Sequence, residues 1–171
     1  YPMLRNAKSV LSRVFYGRVP QLTVEETVLF FAEAMRAHRT GPGELGDFVL
    51  REEPKRYVME FDPCGSGGRM RRVGELDRTP PRTGPPLNLG RTQKPYPWCW
   101  SKVGVPYYCI HCCVWHEIMA IEAQGYPTKI TEYSDDPDMP CVWIFYKDPE
   151  MIPENYFTRI GMKKDPWRFK R

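Results

Sequence analysis

Apolar residues at Val24, Val28, Phe31, Ala32 and Met35 recur at helical spacing. They follow Thr23-x-x-Glu26, in which each side chain satisfies a backbone donor of the other residue. The pattern predicts a helix that Gly41-Pro42-Gly43 stops near His38, with His38 a cap at its exposed end. Ahead of it, Leu4 to Phe15 reads as a shorter amphipathic helix with Arg5, Lys8 and Arg13 outward. That basic face suits solvent first, and an acidic partner or membrane surface second. The period then changes. Phe48 to Leu50 and Tyr57 to Phe61 read as two strands of a hairpin turning at Glu53-Pro54-Lys55.

Residues 74–97 carry six prolines with Gly84 and Gly90, which excludes helix or central strand and predicts a lid or strap. Tyr107 to Gln124 is apolar nearly all round and predicts a buried central helix, ended by Gly125 and Pro127. Two further strands, Thr128 to Tyr133 and Cys141 to Tyr146, flank the acidic turn Ser134-Asp135-Asp136-Pro137-Asp138. The tail from Pro149 to Arg171 reads as short helix and coil with a basic end. No segment repeats. The order predicts one α+β domain over 1–171, with the central apolar helix packed on an antiparallel sheet.

Length and composition agree with one domain: 171 residues, 42% hydrophobic and 27% charged. No apolar run approaches the ~18 residues that span a bilayer, so an integral membrane helix is excluded. The net charge of +4 is spread along the chain, and no RNP-like pattern or basic stripe points to nucleic acid. The chain opens at Tyr1-Pro2 without Met, so its numbering can begin inside a longer precursor, and nothing there reads as a signal peptide. Six cysteines without a small secreted framework favour thiols or metal ligands in a reducing, cytoplasmic setting. A homodimer is compatible with an exposed sheet edge and basic ends.

The densest chemistry is Cys109-Ile110-His111-Cys112-Cys113-Val114-Trp115-His116. On a regular helix Cys109, Cys112, Cys113 and His116 share one face, and His111 projects away from it. Positions 109 and 116 lie roughly 10 Å apart along such a helix, too far to share one tetrahedral zinc. Core packing of Cys112 and Cys113 is the plain alternative. A second cluster is Cys64-Gly65-Ser66-Gly67-Gly68-Arg69, whose glycines suit an anion nest or a turn, without the Lys-Ser/Thr of a P-loop. Arg69 beside Cys64 would lower its thiol pKa, making Cys64 a candidate nucleophile with His111 or His116 as base. Third, Tyr96, Trp98, Trp100, Tyr107, Tyr108 and Trp115 suit either a flat ligand or ordinary core. The candidate ligand-binding residues are therefore Trp98, Trp100 and Trp115 with Cys112 and Cys113, and the candidate catalytic residues are Cys64 and His116.

From Cys109 onward the chain reads Gly125-Tyr126-Pro127, then Glu132, Asp135 and Cys141. This segment, 107 to 147, resembles the 4-vinyl reductase domains, which include aromatic-sensing domains of bacterial regulators. Cys109 precedes Glu132 by 23 residues, as in that family, and Cys141 opens the last strand. The resemblance implies a structural zinc held by Cys109, Glu132 and Cys141, with Asp135 where the family has its middle cysteine and with Cys112 or Cys113 as a replacement. It also implies a small aromatic or hydrophobic ligand between helices and sheet. A vaguer similarity to the L-2-amino-thiazoline-4-carboxylate hydrolase family supplies the competing expectation of a Cys/His-dependent hydrolase or lyase. An iron–sulfur cluster on Cys64, Cys99, Cys109 and Cys112 is a third reading, though it matches no common cluster spacing.

Overall fold

The structure is a computed structural model that describes residues 22–37, 47–74 and 78–169. The expected helix at 4–15, His38 and the last two basic residues lie outside the described residues. Helix α1, Val24–Ala37, begins as the pattern predicts. Glu26 accepts from the Thr23 N–H at 2.8 Å, and the Glu26 N–H donates to Thr23 Oγ1 at 3.2 Å. Glu25 and Glu26 in the first turn and Arg36 in the last complement the helix dipole. Val28, Phe31, Ala32 and Met35 are buried along one stripe.

Strands β1 (Asp47–Glu52), β2 (Arg56–Asp62), β3 (Ile130–Glu132) and β4 (Cys141–Tyr146) form one antiparallel sheet in the order β1-β2-β4-β3. The protein is thus mixed α and β, with a four-stranded antiparallel sheet. The first hairpin closes with the Glu53 N–H on Arg56 O at 2.8 Å. β4 then inserts beside β2, pairing Tyr57 with Phe145, Met59 with Trp143 and Phe61 with Cys141. Directly paired residues share a face, so Tyr57, Met59, Phe61, Cys141, Trp143 and Phe145 form one surface. Phe31 of α1 closes on it, with its ring 5.8 Å from Trp143 and 5.6 Å from Phe145. Ile130 and Ile144 pair on the opposite face and are buried as well. Burying each of these side chains contributes roughly 1.5–3 kcal/mol.

Between β2 and β3 the chain makes a short helix α2 (Gly67–Arg71), the Pro-rich segment and a long helix. The described part of the Pro-rich segment, 78–96, is turns and extended chain, with an isolated bridge between Arg91 and Pro106. Thr92 is buried and ties it down. Its N–H donates to Val105 O at 2.9 Å, and its hydroxyl donates to Lys102 O at 3.2 Å.

The long helix, α3, runs over 107–124 but is not a regular α-helix. It starts as a 3-10 turn at Tyr107–Cys109, becomes α at Ile110–Cys113, widens to π over Val114–Ile118 and returns to α at Met119–Gln124. In the wide turn the Met119 N–H reaches back five residues to Val114 O. Gly125 ends the helix at φ +95°, and any Cβ there would collide with Arg168 O. Helix α4 (Asn155–Thr158) follows β4 and brings Arg159 to the sheet edge.

Candidate functional site

A cavity of about 260 Å³ lies between α1, α3, the 63–72 segment and the inner face of β4. Phe31, Trp100, Trp115, Tyr133 and Trp143 give it aromatic walls, and the exposed Phe30, Ala34 and Met139 lie at its mouth. Four of the six cysteines line it: Cys64, Cys109, Cys112 and Cys141. All six cysteines are free thiols.

Each thiol reaches the cavity for a local reason. Cys141 points inward by strand parity, opposite Phe61. Cys64 lies just beyond β2, where the Gly-rich turn folds back and the Arg69 N–H donates to Cys64 O at 3.1 Å. The Cys64 thiol is held well below the usual thiol range. A hydrogen bond from Cys141 is the main cause; it acts against burial and is joined by the Ser66 hydroxyl, 3.4 Å away, and the N–H groups of Ser66 and Gly68. The glycine-rich turn therefore works as a nest around a sulfur. Donating that bond, together with burial, drives Cys141 well above its ordinary value. Burial likewise pushes Cys109 up to about 12.

Cys112 Sγ stands 3.5 Å from His111 Nε2, and His111 Nδ1 lies 2.5 Å from Tyr108 O. A carbonyl can only accept, so Nδ1 carries the proton and a neutral His111 presents Nε2 as acceptor for the Cys112 thiol. Burial raises the Cys112 thiol, but Lys129 and His111 together bring it below its ordinary value. Burial lowers His111, and Cys112 and Tyr108 more than restore it.

Several expectations are met differently by the structure. His111 and His116 line the same cavity with ring centroids 6.5 Å apart, although a regular helix would separate them. The helix widens to a π turn at Val114–Ile118, which begins between the two, so regular α-helical spacing does not hold from 111 to 116. His116 packs edge-on against Phe31 at 5.2 Å and makes no side-chain hydrogen bond among the described residues. Burial, with Lys129 and His111 nearby, holds its pKa well below the ordinary range. Cys64 and His116 thus share a cavity, as do Trp100, Trp115 and Cys112. Trp98 and Cys113 do not line it. Trp98 stacks on Tyr96 at 4.7 Å, and the buried Cys113 thiol faces Pro97 O at 3.7 Å.

The zinc shell expected at Cys109, Glu132, Asp135 and Cys141 does not assemble. Glu132 pairs with Val142, so its side chain lies on the face opposite Cys141. Its carboxylate is engaged by the Tyr156 hydroxyl and lies 3.6 Å from Arg159 Nη1. Asp135 is exposed and paired with Lys102 at 2.8 Å. Among the described residues no three His, Cys, Asp or Glu side chains are arranged to hold a metal ion. These donors do not fit zinc.

Glu117, Arg159, Lys129 and Arg71 belong to no motif or spacing pattern in the sequence, yet all four are placed around the site. The buried Glu117 accepts from Trp100 Nε1 and the Thr131 N–H, each at 2.9 Å, and from Arg159 at 3.0 Å. It fixes Trp100 and Thr131, both part of the cavity wall. A glutamate inside an apolar helix was the available signal, since a buried carboxylate needs partners. No protein family, curated protein or solved structure matches the chain. Among the described residues no helix is long and apolar enough to cross a membrane.

Proposed function

We propose that the protein binds a small aromatic or hydrophobic molecule between α1, α3 and the sheet, in the manner expected of a 4-vinyl reductase-like domain. The observation that carries this reading is the cavity of about 260 Å³ with aromatic walls. It exceeds the roughly 150 Å³ that suffices for benzene in an engineered apolar cavity. Apolar walls with a few convergent polar groups are the usual make-up of ligand pockets. The Cys109 helix beside the Cys141 strand also supports the likeness, whereas the zinc plays no part in it.

Titration of the full chain with toluene, followed by thermal unfolding and tryptophan fluorescence, tests the proposal. Ligand that binds only the folded state raises the melting temperature. Ala34→Trp, at the exposed mouth, should abolish the rise without unfolding the protein. A wild-type melting temperature and fluorescence indifferent to toluene would reject it.

The Cys112–His111 contact favours a second reading, a Cys/His-dependent hydrolase acting on the same class of ligand. The thiolate would attack an ester carbonyl carbon, and the imidazolium would return the proton to the leaving alcohol. His111-activated water would then cleave the thioester, releasing acid and regenerating the pair. Hydrolysis of p-nitrophenyl acetate, lost in Cys112→Ala, is the expected result; equal rates for the two proteins would reject it.

A further inference from the structure

Two adjacent arginines border the cavity, and their charges are treated differently. Arg72 Nη2 meets Asp62 at 2.6 Å. Arg71 is nine-tenths buried and meets no carboxylate among the described residues. Its Nη1 donates to Ser134 O at 2.8 Å and to the Tyr133 hydroxyl at 3.3 Å. Its Nε is buried without an acceptor, and no hydrogen bond forms at Nη2 among the described residues. The guanidinium stacks over the Tyr133 ring, 4.9 Å from its centroid. A buried charge without a partner is costly, and a guanidinium cannot shed its proton to escape that cost.

No Asp or Glu is among the described lining residues. Cys64, the lining thiol held well below its usual range, is engaged by Cys141 and Ser66 rather than by Arg71. The titratable side chains beside Arg71, Cys109 and Tyr133, are both held protonated by burial, each near 12. The Cys112 thiol faces Lys129 and His111 instead. Lys129 is itself buried, over the Trp143 ring at 3.5 Å, and donates to Thr131 Oγ1 at 3.2 Å. The wall therefore combines aromatic rings with the buried guanidinium of Arg71.

We infer that the ligand is a small aromatic carboxylate, whose rings lie on the aromatic wall and whose carboxylate meets the Arg71 guanidinium. The inference rests on the proposal that the cavity binds a small molecule, and it specifies the ligand's charge. A guanidinium offers paired donors that suit a carboxylate, and such charge-assisted bonds are about twice as strong as neutral ones.

Calorimetric titration of the full chain with benzoate, its neutral isostere benzamide, and toluene decides the matter. Benzoate should bind at least about tenfold more tightly than benzamide. Arg71→Met should remove that preference and leave toluene binding in place, and Arg71→Lys should keep part of it. Urea unfolding establishes that each variant is folded. If Arg71→Met does not fold, the benzoate-to-benzamide ratio of the wild type and of Arg71→Lys still decides. Equal binding of benzoate and benzamide, with toluene bound, would overturn the inference and leave the cavity proposal standing. Failure of all three probes would overturn both.

Discussion

Gly67 stands against the thiol of Cys109, so close that an added Cβ at position 67 would overlap the sulfur. This contact locks the glycine-rich turn onto the start of α3 and brings Cys64 to the cavity. Gly67→Ala should therefore destabilise the fold by about 1–3 kcal/mol, the usual cost of overpacking. The clash is with Sγ alone, since Cys109 Cβ lies an ordinary 3.7 Å from the built atom. Cys109→Ala in the same chain should recover much of the loss. Urea unfolding of the four proteins of the cycle measures the coupling; strictly additive losses would show that the contact is not the cause.

A second prediction concerns the buried Glu117–Arg159 pair. Arg159→Met leaves the carboxylate without its countercharge in a site it cannot leave, and should cost about 3–5 kcal/mol. Replacing both partners, as Glu117→Leu with Arg159→Met, should cost less than the single change, because no buried charge remains. Denaturant midpoints at constant m-value provide the comparison.

What the sequence made legible was local. Thr23 and Glu26 are three residues apart and cap α1 with no help from elsewhere. The alternation around Tyr57, Met59 and Phe61 was enough to place the first hairpin and its inner face. Both are short-range patterns. The site depends on relations that periodicity does not carry. The resemblance to the 4-vinyl reductase domains put Glu132 and Cys141 into one candidate shell, yet the register of β3 on β4 sends them to opposite faces, and a slip of one residue would have reversed that. Helix α3 leaves α geometry between His111 and His116, whose rings lie 6.5 Å apart, and a 3.6-residue period cannot foresee such a change. Arg159 is 42 residues from Glu117, and nothing near either residue names the other.

The thiols should differ in reactivity at neutral pH. Cys64 and Cys112 are shifted towards the thiolate, whereas Cys109, Cys113 and Cys141 are shifted away from it. The thiolate is the nucleophile in alkylation. Iodoacetamide entering past Phe30 and Met139 should label Cys64 and Cys112 at least about tenfold faster than Cys113. Peptide mapping by mass spectrometry at short times reads this directly. Ala34→Trp should slow both reactions together, because it narrows the shared mouth. Labelling led by Cys113 would contradict the assignment of charge.

His116 should add to the fold's sensitivity to acid. Its ring is neutral in the folded protein because burial, with Lys129 and His111 close by, opposes a further positive charge. In the unfolded chain it regains an ordinary value near 6.5. Below about 6.5 the unfolded state therefore binds more protons, and stability falls as the pH drops through that window. The slope from this one group approaches at most about 1.4 kcal/mol per pH unit. His111 acts in the opposite sense, its folded value being raised, so the single group must be isolated by difference. His116→Phe keeps an aromatic ring against Phe31 and Trp143 while removing the titration. Unfolding free energies at pH 7.5 and 5.5 should show the wild type losing more stability than His116→Phe. An equal loss in both would mean that the imidazole is already solvated, and that the cavity around it is wetter than its aromatic walls imply.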